Sequence, residues 1–377
     1  MKALSFNESS EVSIGIELEF QIIDKSSFSL SSCAKEVLSH IKGTKYRLKI
    51  KPELTQSMIE INSSVHHDLT SMYIELHQIY NFLSLKALDL NISFCGGGTH
   101  PFQSWTTQEI YSTKANINFA KEYTYLAKRA TVFGQHIHIG CRDAEDALYL
   151  THALARFVPH FIAISASSPF YLGVETGFVS TRTTVFNTFP LCGVVPLLLN
   201  WEDFSQYFHK MKRLGVIKNM NDFLWDIRPR PHLGTVEIRV CDTPLTLKKA
   251  ILLGAYIQTL SLYLLKEKPL KINQDLYLLY NYNRFQSSRY GFKGRFINPF
   301  TKRHRFIAED ILTTLGKIKK YAHQLQNAPF LELLKNDVST RDNDAKQLID
   351  IYHTTNSLHQ VVAQQCQEWS NSLEPLI

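Results

Sequence analysis

The chain has 377 residues, of which 44% are hydrophobic and 20% charged, and its formal net charge is +7. This balance excludes global disorder and allows a sizeable core. The basic residues are scattered, and the most apolar segment, residues 251–265, is shorter than the roughly 20 residues of a membrane span, so we expect neither a nucleic-acid nor a membrane partner. The six cysteines form no C-x-x-C pair and the first residues lack an apolar signal core, which favours a cytoplasmic protein.

The segment Ser13–Phe20 alternates aliphatic or aromatic residues with polar ones, which predicts a strand with one buried face. Glu17 and Glu19 then share the other face, about 6.6–7 Å apart. Two carboxylates on one face repel each other unless water or a cation lies between them, and hard cations such as Mg²⁺ prefer oxygen ligands. A solvated acidic edge strand is the alternative interpretation.

A second carboxylate-bearing segment follows. Met58–Asn62 alternates in the same way and places Glu60 on its polar face, while Glu53 precedes it. Further on, the strand predicted at Ile92–Cys95 runs into three consecutive glycines, Gly96–Gly98, which allow positive φ or close approach of a ligand. A plain strand-end turn and a substrate-binding loop both remain open for these glycines.

Two histidines share one face of a third predicted strand. In Val132–Gly140, His136 and His138 project together while the isoleucines between them face the core. Such a pair can bind a metal ion, or it can be a hydrogen-bonded pair in a polar cleft.

The second half of the chain adds arginines. Ser165–Pro190 is predicted to be a loop in which Arg182 either clamps an anion or is solvated. Thr235–Asp242 is a fourth alternating strand, with Glu237 and Arg239 on its polar face. Tyr280–Gly294 is predicted to be a loop region. Helices are predicted at residues 34–40, 68–90, 201–211, 248–265, 309–325 and 344–369, and another follows the N-cap Asp143 and carries residues up to Phe157 inward.

Each of the four predicted strands has one polar face and one apolar face, and helical connections separate them. This arrangement predicts an α+β fold: a mostly antiparallel sheet with helices packed on one face. No repeat, low-complexity linker or composition shift divides the chain, so we expect a single domain over residues 1–377. If the polar faces converge, the many carboxylates require bound cations. Carboxylates with an arginine suit Mg²⁺-bound nucleotide and phosphoryl chemistry.

An ordered set of motifs resembles one family, the YbdK-type carboxylate–amine ligases, also called glutamate–cysteine ligase type 2. The motifs are Gly-Ile-Glu-Leu-Glu-Phe at 15–20, Cys-Gly-Gly-Gly-Thr-His-Pro-Phe at 95–102, Phe-Gly-Gln-His-Ile-His-Ile-Gly at 133–140, Trp-Asp-Ile-Arg-Pro at 225–229 and Gly-Thr-Val-Glu-Ile-Arg-Val at 234–240, followed by Asp-Thr-Pro-Leu-Thr. The resemblance implies a catalytic fold like that of glutamine synthetase. It also implies an ATP-dependent enzyme that joins glutamate to cysteine through an acyl phosphate, uses Mg²⁺ or Mn²⁺, and forms a homodimer.

The resemblance also implies residue roles. The implied metal ligands are Glu17, Glu19, Glu53, Glu60, His136 and Glu237, with Glu237, Arg239 and Glu19 near the nucleotide and with Arg239 and Arg182 as the catalytic contacts to the transferring phosphate. His138 is a less secure ligand. Glu53 stands where an Asp is common, Gln56 where an acid is expected, and Thr183 where a proline is expected, which predicts a less rigid loop around Arg182.

Two other functions remain open from the sequence. The H-x-H strand would also suit a metal-dependent amide hydrolase, although such enzymes need a (β/α)₈ barrel and the regular alternation for it is absent. The chain could also bind nucleotide or amino acid without turnover, although the complete acidic set argues against this.

Overall fold

The computed structural model describes residues 3–371, and its strands and helices are as follows. The strands are β1 Ile14–Asp24, β2 Ile50–Pro52, β3 Met58–Asn62, β4 Ile92–Cys95, β5 Gly134–Gly140, β6 Phe170–Tyr171, β7 Val174–Glu175, β8 Cys192–Gly193, β9 Leu224–Trp225, β10 Ile227–Arg230, β11 Thr235–Asp242, β12 Arg295–Ile297 and β13 His304–Phe306. The helices are α1 Ala34–Ile41, α2 Leu69–Ala87, α3 Lys114–Tyr123, α4 Tyr125–Arg129, α5 Ala144–Ala155, α6 Val158–Ser165, α7 Arg182–Phe186, α8 Trp201–Arg213, α9 Leu247–Glu267, α10 Gln274–Tyr290, α11 Ile307–Gln324, α12 Ala328–Thr340, α13 Asp344–Thr355 and α14 Leu358–Asn371.

The main sheet has seven strands in the order β10-β11-β5-β1-β3-β2, with β4 also paired to β1. Every pairing in it is antiparallel. The predicted α+β architecture is therefore confirmed, and all four strands that were predicted to carry polar residues belong to this sheet.

The core lies on one face of the sheet, where the apolar residues of β1 are buried. Helix α9 packs on this face against β1 and β5, and α2 packs against α9. Gly254 allows the close approach, because a Cβ there would lie 3.1 Å from Ile16 Cδ1. Near the other end of β1, the Phe20 ring contacts Trp369 of α14 edge to face, with 4.5 Å between centroids. The opposite face of the sheet is left for polar side chains.

The prediction of a loop at Tyr280–Gly294 is wrong, because α10 runs through it to Tyr290. The residues that α10 buries include Asn283, Arg284, Ser287 and Ser288, which face polar partners. The helix therefore lacks the apolar stripe by which amphipathic helices are recognised.

Other boundaries also differ from the expectations. The single helix predicted at residues 344–369 is two helices, α13 and α14, because Asn356 adopts a left-handed conformation with φ of 49°. The loop predicted at Ser165–Pro190 contains the short helix α7, which begins at Arg182. Helices α3, α4, α6 and α12 were not predicted.

Within the described part of the chain, no single helix is long and apolar enough to cross a membrane, and α5 and α6 meet that test only as a pair across a bend of 63°.

Candidate active site

The polar side chains predicted on four strands meet on the sheet face opposite α9, because the strands pair in register. Glu19 lies opposite Glu60 on β3, Glu17 lies opposite His136 on β5, and His138 lies opposite Glu237 on β11. Residues directly opposite in an antiparallel pair have Cβ atoms about 4.5–5.5 Å apart. The pairing thus converts a pattern scattered over the sequence into one continuous polar surface.

Glu17 and the two histidines form the middle of this surface. Glu17 Oε2 lies 3.1 Å from His136 Nδ1, and Glu17 Oε1 lies 3.5 Å from His138 Nε2. Burial alone would raise the pKa of Glu17, but its interactions with both histidines lower it below the ordinary range. Burial and the nearby Arg239 lower the pKa of His136 to about 4, so its ring is neutral at physiological pH.

A second group is purely acidic. Glu19, Glu53 and Glu60 each offer an oxygen, and these oxygens lie within 4.8 Å of one another. Burial, reinforced by the neighbouring carboxylates, raises the pKa of Glu53 well above its usual value. Burial also raises the pKa of Glu60 and Glu19, although Arg182 and the Gly134 N–H oppose this for Glu19. Carboxylates this crowded either retain protons or share a cation.

The donor set fits a divalent metal ion. Ligand atoms come within 4.8 Å of one another in three overlapping groups: Glu17 with His138 and Glu237, Glu17 with Glu60 and His136, and Glu19 with Glu53 and Glu60. The Nε2 atoms of His136 and His138 are buried and lack a hydrogen-bond partner in the structure. The carboxylate oxygens are the ligands that suit Mg²⁺ or Mn²⁺, and an unpartnered ring nitrogen beside them offers a divalent ion one further donor. His138, the less secure ligand in the sequence, thus has a position equivalent to that of His136.

Glu237 has different surroundings, because three arginines hold it. Its carboxylate accepts hydrogen bonds from Arg228 Nε at 2.7 Å, Arg230 Nη1 at 3.1 Å and Arg239 Nη1 at 2.5 Å. Burial alone would raise the pKa of Glu237, but the arginines, Arg228 foremost, lower it well below its usual value. Glu237 is therefore the ionised centre of an arginine cluster as well as a candidate ligand.

Arg228 and Arg230 were not identified as site residues from the sequence. Their signal was the Arg-Pro-Arg-Pro run at 228–231, which suits an edge strand because proline cannot donate to the ladder. Strand β10 is that edge strand, and it pairs Arg228 directly with Glu237. The role of these two arginines becomes clear only when the strand that pairs with β10 is known, and residue spacing in the sequence does not identify that strand.

Arg182 lies at the start of α7 and is only 4% exposed. Its Nη1 donates to the Arg239 carbonyl at 3.2 Å, and its Nε is buried without a partner. The guanidinium lies against Gly134, where a Cβ would be 2.1 Å from Nη2. A buried cation with an unused N–H beside Glu19 and Arg239 is suited to an anionic ligand.

Thr183, which stands where a proline was expected, is hydrogen-bonded on two sides. The Thr183 hydroxyl lies 2.8 Å from both the Ser180 carbonyl and the Ser288 hydroxyl, so the side chain ties the segment to α10. Gln56 points elsewhere, since its Oε1 accepts the Lys35 N–H of α1.

The three consecutive glycines pack against protein and have no room for a ligand. A Cβ on Gly96 would lie 2.0 Å from the Pro244 carbonyl oxygen, and one on Gly98 would lie 2.5 Å from Asp242 Cγ. Of the two interpretations left open for this segment, the structure favours the strand-end turn.

A cavity of about 200 Å³ opens beside the Glu17 and His138 end of the polar surface. Its lining includes five small hydroxyl residues and four aliphatic ones, namely Ser9, Ser13, Ser63, Ser64, Thr235, Ile14, Ile16, Val65 and Leu233. The polar surface is therefore reachable from solvent at this end.

Two solved structures share this architecture. A similar structure is the glutamate–cysteine ligase of Francisella tularensis in complex with AMP, with a TM-score of 0.72 and 13% identity over 99% of this chain and 91% of that chain. Another is a bifunctional glutathione synthetase of Pasteurella multocida, with a TM-score of 0.71 and 13% identity over 97% of this chain and 53% of that chain. At such low identity the likeness establishes the fold.

Sequence comparison adds the family. The model of glutamate–cysteine ligase family 2 matches residues 13–365. A Legionella pneumophila (strain Corby) protein named "Putative glutamate--cysteine ligase 2-1" is 56% identical over 369 residues, 98% of this chain and 96% of that protein. A Herminiimonas arsenicoxydans protein named "Putative glutamate--cysteine ligase 2" is 48% identical over 366 residues, 97% of this chain and 99% of that protein. The chain belongs to glutamate–cysteine ligase family 2, and it is an ATP-dependent carboxylate–amine ligase.

Proposed function

We propose that this enzyme joins the γ-carboxylate of glutamate to the amine of cysteine, with an acyl phosphate as intermediate and ADP and phosphate as products. The observation that supports this most directly is the polar surface itself, where metal-type donors and buried arginines lie side by side. Phosphoryl transfer needs cations to neutralise charge on the phosphates and arginine to stabilise the transferring group. The family membership supports the choice of glutamate and cysteine.

Divalent cations, when bound, would neutralise the phosphates of ATP. The predicted ligands Glu17, Glu19, Glu53, Glu60, His136 and Glu237 are the residues that would hold them. The ring of His136 is neutral and offers a nitrogen lone pair, and the Nε2 atom of His138 is buried without a hydrogen-bond partner. This assignment remains a proposal for each residue.

The two predicted catalytic arginines act on the transferring phosphate. Arg239 and Arg182 flank Glu19, and both favour its ionised form. We expect their guanidinium groups to turn partly toward the phosphate and to stabilise the charge that develops on it. The substrate carboxylate attacks phosphorus in line, and the amine then displaces phosphate after losing a proton to water or to a carboxylate of this face.

The rival functions have less support. A hydrolase of the H-x-H type requires a parallel barrel, whereas the strands that carry this site form an antiparallel sheet. A binding protein without turnover would not need the complete donor set, which is present.

We also propose that residues 1–377 act as a single domain and that the enzyme is a cytoplasmic homodimer. No nucleic-acid or membrane partner is needed for the reaction, whose substrates are small molecules.

The test is ADP release by the purified full chain with Mg-ATP and glutamate, with and without cysteine, and then with a panel of other amines and carboxylates. Products are identified by mass. Cysteine-dependent ADP release matched by γ-glutamylcysteine is the expected result. ADP with another pair only would retain the chemistry and replace the substrates, whereas Mg-ATP binding without ADP from any pair would overturn the proposal.

A further inference from the structure

We infer that Asp242, the last residue of β11, is a positioning residue for Arg182, acting through the hydroxyl of Ser168. This inference rests on the proposed function in one respect, namely that Arg182 meets the transferring phosphate. Asp242 pairs with Gly134 at the start of β5, and it is the first residue of the Asp-Thr-Pro-Leu-Thr motif at 242–246.

The Asp242 carboxylate is fully buried and saturated with donors. Its Oδ1 accepts from Ser180 Oγ at 2.9 Å, and its Oδ2 accepts from Ser168 Oγ at 2.7 Å and from the Ser167 N–H at 3.1 Å. Burying a carboxylate is costly unless such hydrogen bonds offset the lost solvation. The three donors come from the two segments on either side of β6 and β7, so the carboxylate ties these segments to the sheet.

The connection to Arg182 is one hydrogen bond further on. Because Ser168 Oγ gives its proton to Asp242, its lone pairs are free, and one accepts the Arg182 backbone N–H at 3.2 Å. The Arg182 side chain then extends along Gly134 to the Arg239 carbonyl, leaving its Nε without a partner. The backbone of Arg182 is thus held by Asp242 through Ser168, and the guanidinium group is held by the sheet.

The triple-glycine turn makes room for this arrangement. A Cβ on Gly98 would lie 2.5 Å from Asp242 Cγ, 2.7 Å from Oδ2 and 2.8 Å from Oδ1. The Gly98 N–H also donates to Ser167 Oγ at 3.2 Å. The third glycine of the motif, Gly98, therefore leaves space for the Asp242 carboxylate. The motif is linked to the site through Asp242 and not through contact with substrate.

The first experiment is a double-mutant cycle in the full-length enzyme with Asp242→Asn and Arg182→Lys. Both oxygens of Asp242 accept hydrogen bonds, so an amide must place its NH₂ group against a donor. We expect Asp242→Asn to lower kcat by about 100-fold, the size of effect that a misplacement of about 1 Å produces. If Asp242 acts through Arg182, the double variant should be no more than about threefold worse than Arg182→Lys alone; losses that multiply would overturn the inference.

The matched control is Asp310→Asn, which removes another buried carboxylate. Asp310 is paired with Arg156 at 2.5 Å and with His160 at 2.7 Å in the helical layer. Its loss should destabilise the fold and should show no coupling to Arg182→Lys in kcat. If Asp242→Asn fails to fold, Ser168→Ala takes its place in the cycle, with the same sign of coupling expected.

A second readout does not depend on turnover. In protein labelled with nitrogen-15 arginine, the Arg182 Nε–H signal, assigned by its absence in Arg182→Lys, should exchange slowly with solvent. Faster exchange in both Asp242→Asn and Ser168→Ala is expected, whereas unchanged exchange would overturn the inference. An inactive wild-type enzyme with the expected exchange pattern would count against the proposed function alone.

Discussion

Glu17 and Glu237 carry the same charge on the same face of the sheet, but their neighbours differ. The Glu17 side chain is 26% exposed and lies beside two histidines and near other carboxylates, whereas that of Glu237 is 1% exposed and lies among three arginines. Neutralising Glu17 removes its interactions with the two histidines but also its repulsion of Glu60, whereas neutralising Glu237 leaves buried cations without compensation. Substitutions of Glu17 and of Glu237 should therefore differ in their effect on the free energy of unfolding.

We predict that Glu17→Gln and Glu237→Gln each lower turnover by about 100-fold or more, since both remove preorganised charge. Glu237→Gln should also lower the free energy of unfolding by roughly 3–5 kcal/mol, the usual cost of breaking a buried pair. Glu17→Gln should lower it by less, because the loss of the interactions with the histidines is partly offset by weaker repulsion within the acidic group. Steady-state ADP release and thermal melts measure the two effects; an active Glu237→Gln enzyme would contradict its role as a ligand.

Glu53 gives a pH-dependent prediction. Its pKa is raised in the folded state by burial and by Glu60 and Glu19. A carboxyl whose pKa is higher when folded contributes stability that is complete below the unfolded pKa and is lost as pH rises through the folded pKa. In metal-free protein, Glu53→Gln should therefore gain in melting temperature relative to wild type as pH rises above about 4.5.

Melting curves of both proteins over this range, with and without Mg²⁺, test the prediction. Saturating Mg²⁺ should reduce the advantage of Glu53→Gln, because a cation stabilises the ionised cluster of the wild type. A constant difference between the two proteins at every pH would show that the Glu53 pKa is not raised.

At this scale the sequence predicted residue types better than residue partners. Glu17, Glu60, His136 and Glu237 could be placed on one face because strand periodicity fixes the direction of every second side chain. The environment of Glu237 could not be predicted, because it depends on which strand pairs with β11. Asp242 also escaped notice, since its partners come from segments with no regular periodicity.

At the scale of elements, the start of β5 sets the space available to Arg182. The Gly134 N–H donates to Glu19 Oε2 at 2.5 Å, and a Cβ on Gly134 would lie 2.6 Å from Arg182 Cζ. One residue thus orients a predicted metal ligand and forms the surface on which the arginine lies.

We predict that Gly134→Ala lowers kcat by about 100-fold, because the methyl group displaces the guanidinium. The matched control is Gly316→Ala in α11, where nothing lies within 4 Å of the added Cβ. That control should keep full activity and gain about 0.5–1 kcal/mol, since alanine is favoured over glycine inside helices. Full activity in Gly134→Ala would show that the position of Arg182 is not critical.

The helices that could be predicted are those with an apolar stripe, such as α9. Helix α10 could not, because Arg284 and its polar neighbours face inward: Arg284 Nε donates to Asp226 Oδ2 at 2.7 Å, and Nη2 donates to the Thr183 carbonyl at 3.2 Å. The buried face of α10 carries polar residues that hydrogen-bond the active-site segment, so its sequence shows the polar composition of a loop.

For the whole molecule, a main apolar core runs from Val12 to Trp369 around the sheet. A second apolar cluster, which contains Trp201 and Trp225, is joined to it through Phe6, which packs against both. Because the two share packing, we predict that thermal melts followed by tryptophan fluorescence and by far-UV circular dichroism coincide. A fluorescence transition at lower temperature would show that the second cluster unfolds separately and would contradict the single domain.

The contact of Phe20 with Trp369 has a consequence for biosynthesis. The indole also donates to the Pro244 carbonyl at 3.0 Å, so α14 is fixed over the back of the first strand. A ribosome adds about 5–20 residues per second, so β1 leaves the exit tunnel tens of seconds before α14 is made. During that interval the Phe20 end of the first strand lacks its α14 contact in the nascent chain. The newly made protein is then most dependent on chaperones and most prone to aggregation.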